Sequence, residues 1–177
     1  MRLVDSQVSS FAPAPVAVGT SYRFDRLPSQ QANAPAQEWL ETMTEVALAQ
    51  VGLQRADKPA ALIAQVQLTQ RVESAAIDGP AFGWQLGWRM GHHGGIGLGM
   101  GSGRLFPGLD DRPNYWRELR LTLRDQATQK VVFESRASHD GPWSDSSAIV
   151  PAMLEAALLG FPNPPAGERR VSIEIAR

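Results

Sequence analysis

Between Tyr115 and His139 apolar and polar residues alternate with a period of two. Leu119, Leu121 and Leu123 fall on one side, and Glu118, Arg120, Thr122 and Arg124 on the other. That period places successive side chains on opposite faces of a strand. Val131, Phe133 and Ala137 continue the apolar face after Asp125-Gln126-Ala127-Thr128, whose Asp and Thr suit a four- or five-residue turn. The stretch is therefore predicted to be a β-hairpin near the centre of a sheet. Leu62, Ala64, Val66, Leu68 and Val72 alternate in the same way with Ile63, Gln65, Gln67, Thr69 and Arg71. A strand with one apolar and one mostly polar face belongs to an antiparallel or mixed sheet, not a doubly wound parallel one. Val171, Ile173 and Ile175, alternating with Arg170, Ser172 and Glu174, form a last strand. Near the start, Met1 to Ala12 scatters Leu3, Val4, Val8 and Phe11 among polar residues and ends at Pro13 and Pro15, which reads as a weak or edge strand. Ala12 to Gly19 is an extended connector into a short strand, Ser21 to Asp25, with Tyr22 and Phe24 on its buried face.

A different spacing marks the helices. Leu40, Met43, Ala47 and Val51 recur at three, four and four residues, with Glu38, Glu41, Thr42, Glu45 and Gln50 off the stripe. Asn33 or a neighbour suits the N-cap, Pro35 the first turn, and Gly52 the left-handed position after the last turn. A second helix carries Ile149, Met153, Ala157 and Leu158 after a cap at Ser144, Asp145 or Ser147, with Pro151 in its opening turns and Gly160 at its end. The expected fold is α+β, a mostly antiparallel twisted sheet with two helices packed on one face. With 177 residues and 43% hydrophobic content, a single domain over residues 1–177 is the default.

One stretch breaks the pattern. From about residue 79 to 113 the chain holds Trp84, Trp88 and a run in which Ile96, Leu98 and Met100 alternate with glycines. As a strand this would put apolar side chains on one face and bare backbone on the other. Glycine disfavours such order, so the general behaviour of long connections favours a mobile loop. Trp84, Trp88, Ile96, Leu98 and Met100 form the candidate interaction surface, because aromatic and Met side chains suit adaptable interfaces. A hydrophobic flap folded onto the domain's own core is an equal reading.

Composition narrows the chemistry. A formal net charge of -1 gives no field to steer the chain toward nucleic acid. Arg120, Arg124 and Arg136 with Trp116 share a face with Glu118 and Glu134, which is an interleaved sheet surface and not a nucleic-acid platform. The absence of cysteine excludes disulfides, thiolate catalysis and Cys-ligated metals. No run approaches the ~20 apolar residues that span a bilayer. His92 and His93 would point to opposite faces of a strand, with only His139 as a third histidine, so no metal is expected. Ser138-His139-Asp140 and Ser144-Asp145-Ser146 are neighbours in sequence, whereas a triad is built by geometry; they read as helix-start and turn residues. The glycine run contains neither Gly-x-Gly-x-x-Gly nor Gly-Lys-Ser/Thr. No catalytic residue and no cofactor is expected.

Four short stretches carry a resemblance: Thr20-Ser-Tyr-Arg-Phe24; Val51-Gly-Leu53 before Asp57-Lys-Pro59; Leu121-Thr-Leu-Arg-Asp125 through Lys130-Val-Val-Phe-Glu134; and Phe161-Pro162. Together they resemble the DUF4136 group of bacterial envelope lipoproteins of unknown function, over roughly residues 4 to 175. The resemblance implies a periplasmic domain tethered to the outer membrane by a lipidated cysteine. Since this chain has no cysteine, the tether is expected to precede Met1. The expected role is non-catalytic: binding a protein or cell-wall partner, or self-association, through the Gly/Trp-rich segment. The alternative is a carrier whose apolar ligand is lidded by that segment.

Overall fold

The computed structural model of the chain describes residues 1–73 and 113–176. In chain order the elements are β1 (Arg2–Phe11), β2 (Ser21–Phe24), α1 (Pro28–Gln31), α2 (Ala34–Gln50), β3 (Gln54–Arg55), β4 (Leu62–Glu73), β5 (Asn114–Asp125), β6 (Val131–Gly141), α3 (Ser146–Leu158) and β7 (Glu168–Ile175). The strands form a mixed, mostly antiparallel sheet in the order β3-β2-β4-β5-β6-β1-β7, with β2 parallel to both β3 and β4. The α+β class holds, and the β5–β6 hairpin lies at the middle of the sheet.

The alternation in β5 decides where the core is. Leu119, Leu121 and Leu123 are fully buried, opposite Ala137, Ser135 and Phe133 of β6 on one side and Leu68, Val66 and Ala64 of β4 on the other. α3 covers this area, touching β1, β5, β6 and β7, and α2 touches β4 and α3. Ser135, without exposure, needs a partner in such a place. Its hydroxyl donates to the Ala157 carbonyl of α3 at 2.7 Å and meets Ser10 Oγ at 2.9 Å. Phe161, from the Phe-Pro pair after α3, packs edge-on against Phe133 at 5.0 Å between ring centroids.

Three expectations need correction. β1 is not an edge strand: it pairs with β6 and β7 on its two sides, because the C-terminal strand returns to cover it. A third helix, the single turn α1, occupies part of the stretch read as a polar loop; Pro28 opens it and Gln30 Oε1 accepts from Leu27 N at 2.8 Å. Glu41, read as off the apolar stripe of α2, is buried, since Arg26 donates to both of its carboxylate oxygens at 2.8 and 2.9 Å. Asn33 stands at the α2 cap position, but its side chain makes no capping bond. Gly52 does take the left-handed conformation, φ 88°, and a Cβ there would meet Val18 Cγ1 at 2.8 Å.

Of the capping candidates for α3, Asp145 does the work. Its carboxylate accepts from Ala148 N at 3.3 Å, from Ser147 Oγ at 2.7 Å and from Arg2 Nη2 at 3.3 Å. The Ser147 bond first, then Arg2, holds its pKa below the usual carboxylate value.

Replacing Leu121 by Ala is expected to cost ~2–5 kcal/mol in denaturant unfolding, the range for emptying a close-packed site. Asp145→Ala is expected to lower stability at neutral pH. A carboxylate with a depressed folded pKa contributes fully above its unfolded value near ~3.9 and loses the contribution as pH falls through the folded value. The gap between wild type and Asp145→Ala should therefore close on acidification below about pH 4, read by unfolding curves at a series of pH values.

Candidate functional site

Each strand residue directs its N–H and C=O to one edge, and its neighbours direct theirs to the other. On β4 the Ala64 carbonyl accepts from Asp25 N at 3.0 Å, which places the even-numbered residues toward β2. The odd-numbered residues face β5. β2 is only four residues long and its last partner is Ala64, whereas β4 continues to Glu73. Val66 O, the next group along, accepts from two side-chain amides, Gln30 Nε2 at 2.8 Å and Gln37 Nε2 at 3.2 Å. Beyond it, Leu68, Gln70 and Val72 turn their backbone groups to an edge that no strand occupies among the described residues.

A groove of about 350 Å³ runs beside that edge. Its far wall is α1 and the first turns of α2, with Ser29, Gln30, Asn33 and Trp39; its near wall is Gln67 to Gln70. The wall is positioned by charge and hydrogen bonding. Arg26, just before α1, holds Glu41 on α2, and Gln37 Nε2 lies 3.4 Å from the same carboxylate. Among the described residues the groove lining is neutral: amides, hydroxyls, one indole, aliphatic side chains and backbone that no described strand pairs. Such a lining recognises hydrogen-bonding groups and a flat or apolar side chain, and supplies no acid, base or nucleophile of perturbed pKa.

A second polar cluster lies inside the domain. Arg117 and His139 face each other across β5 and β6 on the core side, both almost unexposed. Arg117 Nε donates to Ser146 Oγ and Nη2 to the Trp143 carbonyl, each at 3.1 Å, and its guanidinium carbon lies 5.6 Å from the Tyr115 ring centroid. Burial lowers its pKa, against the pull of Asp145. These bonds strap the turn before α3 onto the sheet. His139 Nδ1 lies 2.8 Å from the Asp5 carbonyl, which can only accept, so that nitrogen carries the proton. Ser138 and Asp140 lie on the opposite face of β6 and Asp145 caps α3, so the sequence neighbours are not brought together as a triad.

Among the described residues Tyr22 is the remaining buried titratable group. Its ring meets Phe24 edge-on at 5.4 Å, and burial first, then Glu45, pushes its pKa up to about 12. Among the described residues no group of three or more His, Asp or Glu is arranged to hold a metal ion. The interaction surface expected at Trp84, Trp88, Ile96, Leu98 and Met100, and the His92-His93 pair, lie outside the described residues. Sequence reasoning missed the open edge. Its signal was present in length: Leu62 to Val72 alternates over eleven residues, whereas Ser21 to Asp25 offers five.

Comparison with known proteins adds family and fold. Among solved structures the chain is similar to a PDZ domain protein from Parabacteroides distasonis, at 12% identity and a TM-score of 0.55, covering 96% of this chain and 39% of that one. It is also similar to the PelC dodecamer of Paraburkholderia phytofirmans, at 16% identity and a TM-score of 0.45, covering 86% and 95% of the two chains. A point-substituted form of the same protein gives 13%, 0.48, 86% and 94%. At such identities only the first carries weight, and it speaks to fold alone. No curated protein matches. The model of the domain of unknown function DUF4136 matches residues 7–163, from within β1 to the Phe161-Pro162 turn, and the chain belongs to that family.

Proposed function

We propose that this chain is a non-catalytic binding domain of the bacterial envelope that receives an extended segment of a protein partner along the open edge of β4. The observation that supports this reading is the run of Leu68, Gln70 and Val72, whose backbone donors and acceptors face an edge that no described strand occupies, Leu68 and Gln70 lining the groove walled by α1 and α2. Strand addition of this kind takes affinity from main-chain hydrogen bonds and selectivity from the pockets beside them. The reading takes α2 and α3 as one layer over the leucine face of the sheet, so that the edge and the opposite, charged face remain accessible. A lipid tether outside this chain would hold the domain on the periplasmic side of the outer membrane, as the resemblance to envelope lipoproteins implies. Among the described residues no helix is long and apolar enough to cross a membrane. On composition alone, Trp84, Trp88, Ile96, Leu98 and Met100, which follow β4 in sequence, are proposed as a further contact with an envelope partner or a second copy.

Transport of an apolar ligand has less support. Leu48, Leu121, Ile149, Met153 and Leu154 are all fully buried where sheet and helices meet, and a carrier needs room there.

In the isolated domain, backbone amides of Leu68 and Gln70 should exchange with solvent faster than those of Gln67 and Thr69, which face β5. Amide exchange measured by NMR checks this alternation. Gln70→Pro removes a groove-facing N–H and should cost about 1 kcal/mol less than Thr69→Pro, which removes a ladder bond. A photo-crosslinking residue at Ser29, used in cells of the native host, should give a protein adduct that Gln70→Pro abolishes. An adduct indifferent to that substitution, or obtained only from Arg120 on the opposite sheet face, would contradict the proposal.

A further inference from the structure

β7 is the terminal strand of the sheet, and it pairs with β1 alone among the described residues. The pairing runs without a break from Glu168 to Ile175, with no bulge to twist the outer edge away. The side that faces outward follows from one bond. Asp5 O meets His139 of β6, so the backbone groups of Asp5 face β6, and those of Val4, Ser6 and Val8 face β7. Their partners Ile173, Val171 and Arg169 face back, which leaves Glu168, Arg170, Ser172 and Glu174 with their N–H and C=O groups directed outward.

This edge has an internal symmetry. About Ser172, Arg170 and Glu174 are placed at equal distance with opposite charge, and Val171 and Ile173 are placed at equal distance with similar apolar side chains. We propose that two copies of this chain associate through antiparallel β7–β7 pairing centred on Ser172, joining two sheets into one. In that register Arg170 of each copy stands opposite Glu174 of the other, and Val171 opposite Ile173. The outward-facing residues 170, 172 and 174 then form the hydrogen-bonded pairs of the new ladder. Charge selects this register. Centring on Arg170 sets two arginines against each other, and shifting by two residues to pair Arg170 with Ser172 sets Glu168 against Glu174. Opposite charges directly across a pair of strands stabilise, and like charges oppose. Charged residues usually protect an edge from self-pairing; here their order admits one partner, the same strand inverted. On the outer face Arg170 already bonds Asp5, and Ser172 Oγ donates to that carboxylate, so both side chains are held in place before association. The inference is independent of any use of the β4 edge, which lies toward the other end of the sheet.

Sedimentation and a covalent trap test it. The wild-type chain is expected to sediment as a concentration-dependent dimer. Arg170→Glu alone and Glu174→Arg alone are each expected to weaken that dimer by about tenfold or more, since two symmetric pairs change sign. An equimolar mixture of the two variants should restore it, because each Glu then faces an Arg in the mixed pair. Glu174→Arg leaves the Asp5 contacts intact, so its effect is separable from any loss of fold in the other variant. This chain has no cysteine, so Ser172→Cys introduces its single thiol. In the proposed register it faces its own copy across a hydrogen-bonded pair, at a Cα separation near ~5.5 Å that suits a disulfide. Mild oxidation is expected to give a covalent dimer from Ser172→Cys and little from Arg170→Cys. A monomeric wild type across the concentration range, a dimer unchanged in both single variants, a mixture that stays monomeric, or efficient cross-linking of Arg170→Cys alone would each overturn the proposal.

Discussion

The rest of the structure depends on the parity of β5. Bonded to β4 on one side and β6 on the other, it allows no slip, because a shift of one residue would turn Leu119, Leu121 and Leu123 to solvent and Arg120 to the core. Once that parity is set, it passes outward through the antiparallel pairs. It determines which residues of β4 look toward β2, which of β1 look toward β7, and therefore which backbone groups remain at the two ends of the sheet. The single irregularity in the β5–β6 pairing, between Leu123 and Arg124, falls beside the turn and leaves the leucine register intact.

The helices pack on this frame through buried apolar side chains, and a few polar bonds fix where they sit. Ser135 ties the middle of α3 to β6, Arg117 ties the turn before it to β5, and the Arg26–Glu41 pair with Gln37 ties α1 and α2 to each other and to β4. Removing one partner from such a site leaves the other desolvated and unpaired, which is worse than losing an apolar contact of equal size. These residues therefore fix position more than they add stability.

Periodicity made β4, β5, β6, β7 and the two long helices legible, since burial of one face is imposed on every second residue or on every third and fourth. It could not show that Glu41 is buried, because that depends on Arg26, fifteen residues away and placed by a helical turn too short to leave a period. Nor could it order the strands. Leu3, Val4 and Val8 look like a weak strand until β7 is laid beside them, and nothing local to residues 1–12 announces a partner near residue 171. The open part of β4 was missed for a related reason: the strand lengths could be read, but an edge appears only once β2 is known to be the neighbour, four residues against twelve of β4. The residues first singled out for interaction were chosen on composition and lie outside the described part of the chain.

The two glutamines on Val66 also act as a gauge. By occupying its carbonyl, Gln30 and Gln37 close the inner end of the exposed edge, as a stop block closes a rail. What is left, Leu68 to Glu73, is six residues, or ~20 Å at the rise of an antiparallel strand. The inward end is walled by amides, and Arg71 lies over the Trp116 ring at 4.9 Å near the outward end. For the proposed guest strand, the described part of the edge therefore sets a length before any side chain is compared: about five or six residues, with the Val66 end closed.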